Sequence, residues 1–344
     1  MNNWTTLYQM ADLIKALKPW RYMYEDEITG VRDPVTDTIG FISVMGNLGE
    51  HYSIAVYLGE RALGQYFELS EKDESEDDEN AVAEMLLEIP QLMLTFEDRE
   101  FLEKEDLSII KELGRKYSGK KSWPLFRSCR PGMVPWFLDE KERESMVVFL
   151  GEFLETAIRT KSGTRMPKLD SKGNNVYLVR ELRKDSKNQQ WHETRQKIAI
   201  PAPQEVLYTL DNVLLAKIKK IPVGKNIYEM DFFLTPAQVK EKNKRPFFSY
   251  LFLIVDQRSE FIITHEMMDP TEGIESMLAK IPSLLLNTFN KSTSLPQAVY
   301  VGSSRLAHLL IPLLRNLDIP VQYHPNLKSL QNAKRGIMGY FRKG

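Results

Sequence analysis

The amino-acid sequence predicts an α/β protein of two domains, with an N-terminal α+β domain over residues 1–200 and an α/β domain over residues 201–344. The length of 344 residues favours two domains, because most single domains are shorter. Short apolar runs bounded by turn residues alternate with segments whose apolar residues recur at helical spacing, which indicates both strands and helices. The sequence PAPQ at 201–204 interrupts these patterns and marks the predicted boundary.

The N-terminal domain is predicted to begin with a helix and to continue with strands. Residues 4–17 have helical apolar spacing and end before Pro19. Strands are predicted at 38–45 and 52–58, on either side of the turn GNLGEH. The later elements are helices at 60–69, 79–88, 105–116 and 139–160, a strand at 91–96, and a hairpin across the turn RKDSKN. The segment WPLFRSCRPGMVPWFLD, residues 123–139, contains three prolines and is therefore predicted to be irregular.

The C-terminal domain is predicted to contain three antiparallel strands followed by alternating helices and strands. The three strands lie at 227–234, 246–255 and 260–265. The elements that follow are helix 271–288, strand 298–302, helix 303–316, strand 319–323 and helix 326–341. This element order resembles that of the ribonuclease H-like fold, with a right-handed crossover in its parallel part.

The ribonuclease H-like resemblance implies a test for catalysis, because two-metal nucleases of this class hold Mg²⁺ with several converging carboxylates. The resemblance places acids on the first strand, the first helix, the tip of the fourth strand and the last helix. Asp231 lies in the first predicted strand, and Glu272 and Glu275 begin the first helix, but the fourth strand ends in Gly302 and the last helix has no acid. We therefore predict a catalytically silent domain. The alternative is a divergent metal-dependent nuclease that uses Asp231, Asp256, and Glu272 or Glu275.

The composition argues against several other chemistries. Cys129 is the single cysteine, so no intramolecular disulfide can form, which fits a reducing cytoplasm. No apolar run has the length of a membrane span, and the first residues lack a signal-peptide pattern. No metal site and no cofactor are predicted, because no two of the five histidines have the spacing of metal ligands; these are His51, His192, His265, His308 and His324.

The turn Gly302-Ser303-Ser304 joins a predicted strand to a predicted helix, as phosphate-binding turns do. It lacks the lysine of a phosphate loop and the glycine pattern of a nucleophile elbow. We expect Ser303 or Ser304 to cap the following helix.

The segment 113–138 has the composition of a nucleic-acid binder, since it interleaves cations with aromatic residues and contains no acid. The C-terminal helix is also basic. The predicted nucleic-acid-binding residues are Arg115, Lys116, Lys120, Lys121, Trp123, Arg127, Arg130, Trp136, Lys334 and Arg335. The other interpretation is that the aromatic residues belong to the core and that the cations balance the acidic run at 71–79.

Net charge is unevenly distributed along the chain. It is −16 over residues 1–112, +11 over 113–225 and +4 over 226–344. We expect an intracellular, non-enzymatic binding protein whose favoured ligand is nucleic acid. A second possibility is a protein-interaction module in which residues 71–79 bind a basic partner.

Three segments together resemble a family of bacterial two-domain proteins known only as domains of unknown function. They are GFISVMGNLGEHYSIAVYLGE, FRSCRPGMVPWFLDEKE and PQAVYVGSSRLAHLLIPLLRNLDIPVQYHPNL. The resemblance implies an intracellular bacterial protein with the two-domain division given above, and it implies no activity, cofactor or catalytic residue.

Overall fold

The computed structural model describes residues 3–70, 85–163, 175–184, 189–202, 205–242 and 244–341. The chain forms two compact units. The first comprises Met1–Arg130 and Pro135–Ala202, and the second comprises Pro131–Val134 and Pro203–Gly344. The chain thus leaves the first unit at residue 131, returns at 135 and leaves again after 202. The boundary predicted from the sequence near residue 200 does not account for residues 131–134, which pack in the second unit. The acidic run 71–79, proposed to bind a basic partner, lies outside the described residues.

The first unit is built on a seven-stranded sheet with the order β5-β4-β3-β2-β1-β6-β7. Neighbouring strands are antiparallel except β1 and β6, which are parallel. The strands are β1 (Thr29–Arg32), β2 (Ile39–Met45), β3 (Tyr52–Leu58), β4 (Gln91–Glu97), β5 (Trp123–Cys129), β6 (Val176–Lys184) and β7 (Gln189–Lys197).

Helices cover both faces of this sheet, because the central strands carry apolar side chains on both sides. The main helices are α1 (Asn3–Leu17), α2 (Gly59–Ser70), α3 (Lys104–Glu112) and α4 (Glu140–Lys161), and a short 3₁₀ turn (Pro19–Arg21) follows α1. The helices α1 and α4 pack with Ile42 and Val44 on one face, whereas α2 packs with Phe41 and Tyr57 on the other. The α4 helix begins with a capping box formed by Asp139 and Glu142.

The expectation of irregular chain over residues 123–139 is wrong for its first half, which forms strand β5. Pro124 lies opposite Phe96 of β4, and β5 is the edge of the sheet. An edge strand has one side without a neighbour, so a proline that lacks an N–H group is tolerated there. The edge position in the sheet, which the sequence alone does not specify, allows these residues to form a strand despite the proline.

The second unit contains a five-stranded sheet with the order β10-β9-β8-β11-β12. The first three strands are antiparallel, and β11 is parallel to both β8 and β12. The strands are β8 (Ile227–Val239), β9 (Phe247–Asp256), β10 (Ile262–Met268), β11 (Ala298–Val301) and β12 (Val321–Tyr323). The three antiparallel strands followed by two parallel strands agree with the predicted element order.

The helices of this unit are α5 (Asn212–Ile218), α6 (Ile274–Leu278), α7 (Ile281–Asn290), α8 (Ser304–Asn316) and α9 (Lys328–Phe341). The single helix predicted at 271–288 is wrong, since α6 and α7 are separate and α7 begins with Pro282 in its first turn. Proline fits the first turn of a helix but not its interior, so the chain must start a new helix there. Ser303 caps α8, with its Oγ accepting a hydrogen bond from the Leu306 N–H at 3.0 Å, which confirms the predicted cap.

Candidate nucleic-acid interface in the first unit

A basic cleft of about 780 Å³ lies in the first unit, where three segments of chain meet. These segments are the end of α1 with the turn after it, the turn between β2 and β3, and the residues before β5. The cations that line the cleft are Lys15, Lys18, Arg21, Lys120 and Lys121. None of the described lining residues is Asp or Glu. The cleft therefore concentrates positive charge that is not neutralised within its own wall.

Two of these lysines are fixed by hydrogen bonds to backbone carbonyl groups. The Lys15 Nζ donates to the Ser122 carbonyl oxygen at 2.9 Å, and the Lys121 Nζ donates to the Gly49 carbonyl oxygen at 2.7 Å. An ammonium group has three N–H donors, so each lysine retains two for another partner. Desolvation by burial lowers the pKa of Lys15, and the nearby Asp12 carboxylate opposes this shift. An anion in the cleft would stabilise the charged form of Lys15.

The backbone of two lining lysines is held in a conformation that most residues avoid. Lys18 has a φ of 54° and Lys121 has a φ of 48°. The left-handed region costs a residue with a Cβ about 1–2 kcal/mol. The backbone N–H of Lys121 donates to the Asp98 Oδ1 at 2.5 Å, which stabilises this geometry. Local strain of this kind is common at ligand-binding sites.

Aromatic side chains form the floor of the cleft. The Trp20 and Tyr52 rings stack at a centroid distance of 4.6 Å. Gly46 permits this arrangement, because a Cβ there would lie 2.7 Å from the Tyr52 Cδ1 and its φ is +129°. At the rim, Tyr24 is 52% exposed and Leu48 is 91% exposed. The cleft thus combines fixed cations with apolar and aromatic surface.

Three predicted nucleic-acid-binding arginines are occupied by acidic partners and do not line the cleft. Arg127 forms a two-point ion pair with Asp106, with N–O distances of 2.9 and 2.7 Å, and its guanidinium lies 4.6 Å from the Phe137 ring centroid. Arg115 pairs with Asp12. Arg130 pairs with Asp139 at 2.5 Å and with Glu142 at 2.8 Å. These pairs support the interpretation that the arginines of this segment are structural, although the acids are not those of the run at 71–79.

The remaining predicted residues are dispersed. Trp123 packs against Tyr117 and Arg99, and Trp136 packs against Phe137. Lys116 is exposed outside the cleft. In the second unit, the Lys334 Nζ lies 4.5 Å from the Phe233 ring centroid, and the Arg335 Nη2 donates to the Asn332 Oδ1 at 2.7 Å. Of the ten predicted residues, Lys120 and Lys121 are the two that the cleft brings together.

Sequence reasoning missed Lys15, Lys18 and Arg21. They lie within KALKPWR, residues 15–21, which places three cations and a tryptophan in seven residues. The signal was hidden because the surrounding residues 1–112 carry a net charge of −16.

The carboxylates proposed for a divergent nuclease do not form one site. Asp231 lies on β8 beside Gly302, where a Cβ would collide with the Asp231 Oδ2. Desolvation raises the pKa of Asp231 to about 7, and the Phe232 N–H and the Lys334 charge oppose this shift. Asp256 pairs in register with Tyr228 and Asp231 pairs with Leu253, so the two acids point to opposite faces of the sheet. Asp256 instead accepts hydrogen bonds from the Ser259 N–H and Oγ, each at 2.8 Å.

Three further acids of the second unit have different surroundings. Glu272 is exposed and lies 3.6 Å from Lys280, and Glu275 is in α6. Glu229, which is not among the predicted site residues, is 2% exposed and accepts a hydrogen bond from the Leu330 N–H at 2.8 Å. Its side chain lies at the N-terminus of α9, where the helix dipole favours an acidic residue. Among the described residues, no group of three or more His, Cys, Asp or Glu side chains could hold a metal ion.

The five histidines are dispersed as well. The side chains of His51, His265 and His308 are exposed, His192 lies on β7, and His324 packs on Tyr300 with ring centroids 4.3 Å apart.

Within the described part of the chain, no helix is both long and apolar enough to cross a membrane.

The fold and the cleft define a mixed α/β protein of two units, the first of which carries a basic cleft. The chain belongs to the family described as domain of unknown function DUF7309, whose model matches residues 4–180. A second family model, described as domain of unknown function DUF6930, matches residues 214–338. The whole cleft lies within the first match. No curated protein matches the chain.

Proposed function

We propose that this protein binds nucleic acid, and that the basic cleft of the first unit is the binding site. The observation that carries the proposal is the set of five cations, contributed by segments about a hundred residues apart, around a cleft whose described lining residues include no carboxylate. Phosphate groups that enter the cleft would be neutralised and would release their counterions, which is the main source of affinity for nucleic acids.

The aromatic surface of the cleft supports a single strand over a duplex. Base pairs hide the faces of their bases within the stack, whereas a single strand can place a base on an aromatic side chain. Tyr24 at the rim is 52% exposed, and the Trp20–Tyr52 stack gives the floor an apolar surface.

The second unit is proposed to have a ribonuclease H-like fold and to be catalytically silent. Its sheet order, written in chain order as 3-2-1-4-5 with the first three strands antiparallel, supports the fold. The opposite orientation of Asp231 and Asp256 supports the absence of a nuclease centre. The single, buried Cys129 supports a cytoplasmic setting, and the resemblance to bacterial proteins supports a bacterial one.

Fluorescence polarisation of labelled single- and double-stranded DNA and RNA tests the proposal. Titrations at about 50 and 200 mM salt should show affinity for single strands that falls with salt, with a logarithmic slope no steeper than about −3.5, since each of up to five neutralised phosphates contributes about −0.7. Adding Mn²⁺ should leave the oligonucleotides intact on a gel. Cleavage that requires Mn²⁺ would overturn the silent assignment of the second unit.

A pair of matched variants links binding to the cleft. Arg21→Gln combined with Lys120→Gln removes two cleft charges and should lower affinity at least about tenfold and flatten the salt slope by about one unit or more. Lys104→Gln combined with Lys116→Gln removes two exposed charges outside the cleft and should change affinity little. Equal losses in the two variants, or no binding at the lower salt concentration, would refute the proposed site.

A further inference from the structure

We propose that the ligand of the basic cleft is a strand end, namely a terminal nucleotide that carries a phosphate monoester. This inference rests on the proposed nucleic-acid binding and specifies which part of the strand the cleft recognises.

The amount of charge in the cleft favours a terminus over the interior of a strand. Five cations surround a volume of about 780 Å³, which is within the range of a site for one small ligand. An internal stretch of strand carries one negative charge per nucleotide, so few charges can enter such a volume. A terminal phosphate monoester carries about −1.5 to −2 charges at pH 7. A strand end therefore offers the cleft more negative charge than an internal nucleotide of the same size.

The two fixed lysines supply several N–H donors for the oxygen atoms of a phosphate monoester. The Lys15 ammonium group is held on the Ser122 carbonyl group and the Lys121 ammonium group on the Gly49 carbonyl group, and both lysines line the same cleft. Together they retain four N–H donors. A monoester presents three non-bridging oxygen atoms and an internal diester presents two, so the monoester uses this donor set more fully.

The aromatic surface of the cleft suits one base. Of the three aromatic residues that line the cleft, Trp20 is 7% exposed and its ring is stacked on Tyr52, whereas Tyr24 is 52% exposed. The Lys121 ammonium lies 5.9 Å from the Tyr52 ring centroid. Proteins that track a long strand present several exposed rings to successive bases. The rings of Trp123 and Trp136, which sequence assigned to that role, contact other side chains away from the cleft.

The test compares ends of the same strand. An internally labelled single-stranded oligonucleotide is prepared with a 5′-phosphate, with a 3′-phosphate, with hydroxyl groups at both ends, and as a circle. One phosphorylated form should bind at least about tenfold more tightly than the hydroxyl form, because a charge-assisted hydrogen bond contributes at least that factor. The circle should bind no better than the hydroxyl form.

Two variants of the fixed lysines should remove this preference. Lys15→Met keeps an apolar side chain like the stem of the lysine. Lys121→Asn introduces a residue that tolerates the left-handed backbone at this position. Lys116→Gln, outside the cleft, should keep the full preference. Tryptophan emission checks the fold of each variant, and if Lys15→Met fails to fold, Lys121→Asn alone decides the outcome.

Failure of the strand-end inference differs from failure of the proposed function. If all four oligonucleotides bind equally and Arg21→Gln with Lys120→Gln weakens them all, the cleft binds nucleic acid and the strand-end inference is wrong. If none binds, both are wrong. If a free 5′-mononucleotide competes as well as the phosphorylated oligonucleotide, the same chemistry comes from a mononucleotide and the strand end is refuted.

Discussion

Replacing Asp231 by Asn should stabilise the second unit at pH 8 and change it little at pH 4. Desolvation on β8 raises the pKa of Asp231 from its ordinary value of 3.8 to about 7. Because one pKa unit corresponds to about 1.4 kcal/mol, the ionised carboxylate lowers the free energy of unfolding by up to about 4 kcal/mol. Asn has nearly the same shape, and its Oδ1 can still accept the hydrogen bond that the Phe232 N–H donates at 2.9 Å.

The effect of Asp231 is confined to a pH window. In the unfolded chain, an aspartate loses its proton near pH 4. In the folded unit, Asp231 keeps its proton until the pH rises to about 7. The folded state therefore binds more protons within this window, and the free energy of unfolding falls as the pH rises through it. Above the folded-state pKa the loss is complete, so the benefit of Asn is largest there.

Hydrogen exchange of peptides from β8 and β9 in increasing urea measures the stability of this unit. Tryptophan emission cannot, because all five tryptophans, Trp4, Trp20, Trp123, Trp136 and Trp191, belong to the first unit. The matched control is Asp318→Asn, which removes an exposed charge from the second unit at a φ of 55° that Asn tolerates. If the protein and Asp231→Asn lose the same stability between pH 4 and pH 8, desolvation of Asp231 does not govern this dependence.

Three further substitutions test contacts within the first unit or within the second unit. Arg127→Met should lower the free energy of unfolding of the first unit by about 3 kcal/mol, because it leaves the buried Asp106 unpaired. Urea unfolding followed by tryptophan emission measures this loss, and an effect no larger than that of Lys116→Met would contradict it. Gly302→Ala should destabilise the second unit by bringing a Cβ against the Asp231 Oδ2. At pH 4, where Asp231 carries its proton and its charge costs nothing, a second substitution, Asp231→Ala, should restore most of the loss in hydrogen exchange. A double variant as unstable as Gly302→Ala would show that the two residues do not touch. Gly132→Ala should cost the second unit about 2–3 kcal/mol, since strain adds to overpacking at a left-handed residue. Its φ is +73° and its Cβ would lie 2.7 Å from the Pro270 Cβ. Gly273→Ala, with a φ of +100° and open space around it, should cost less, and equal costs would exclude the Pro270 contact.

Most elements of the fold could be predicted because they depend on local pattern. The predicted strand at 52–58 has the bounds of β3, and the helix predicted at 139–160 corresponds to α4 within one residue. Proline produced two of the errors. Pro124 is accepted in β5 because that strand is an edge, whereas Pro282 divides a predicted helix into α6 and α7. A proline interrupts an element only where the missing N–H group would have to donate a hydrogen bond within that element or to an adjacent strand. The sequence alone does not show where such a bond is required.

The candidate site was predictable only in part. Lys120 and Lys121 were identified from the basic segment, but Lys15, Lys18 and Arg21 reach the same cleft from another part of the chain. The contact between Lys15 and Ser122 joins residues 107 positions apart. Arg115, Arg127 and Arg130 lie in the same basic segment as Lys120 and Lys121. Each of these three arginines is nevertheless paired with an acid.

By itself, the sequence determined the two-part α/β organisation, most of the order of the elements in each unit and the family to which the chain belongs. Hydrophobic periodicity and turn residues act over a few positions, so these features are encoded locally. The tertiary structure decided which cations are neutralised and which line a cleft, and it placed Asp231 and Asp256 on opposite faces of one sheet. Electrostatic pairing depends on distances of a few ångströms in space, and folding sets those distances between residues that are far apart in the chain.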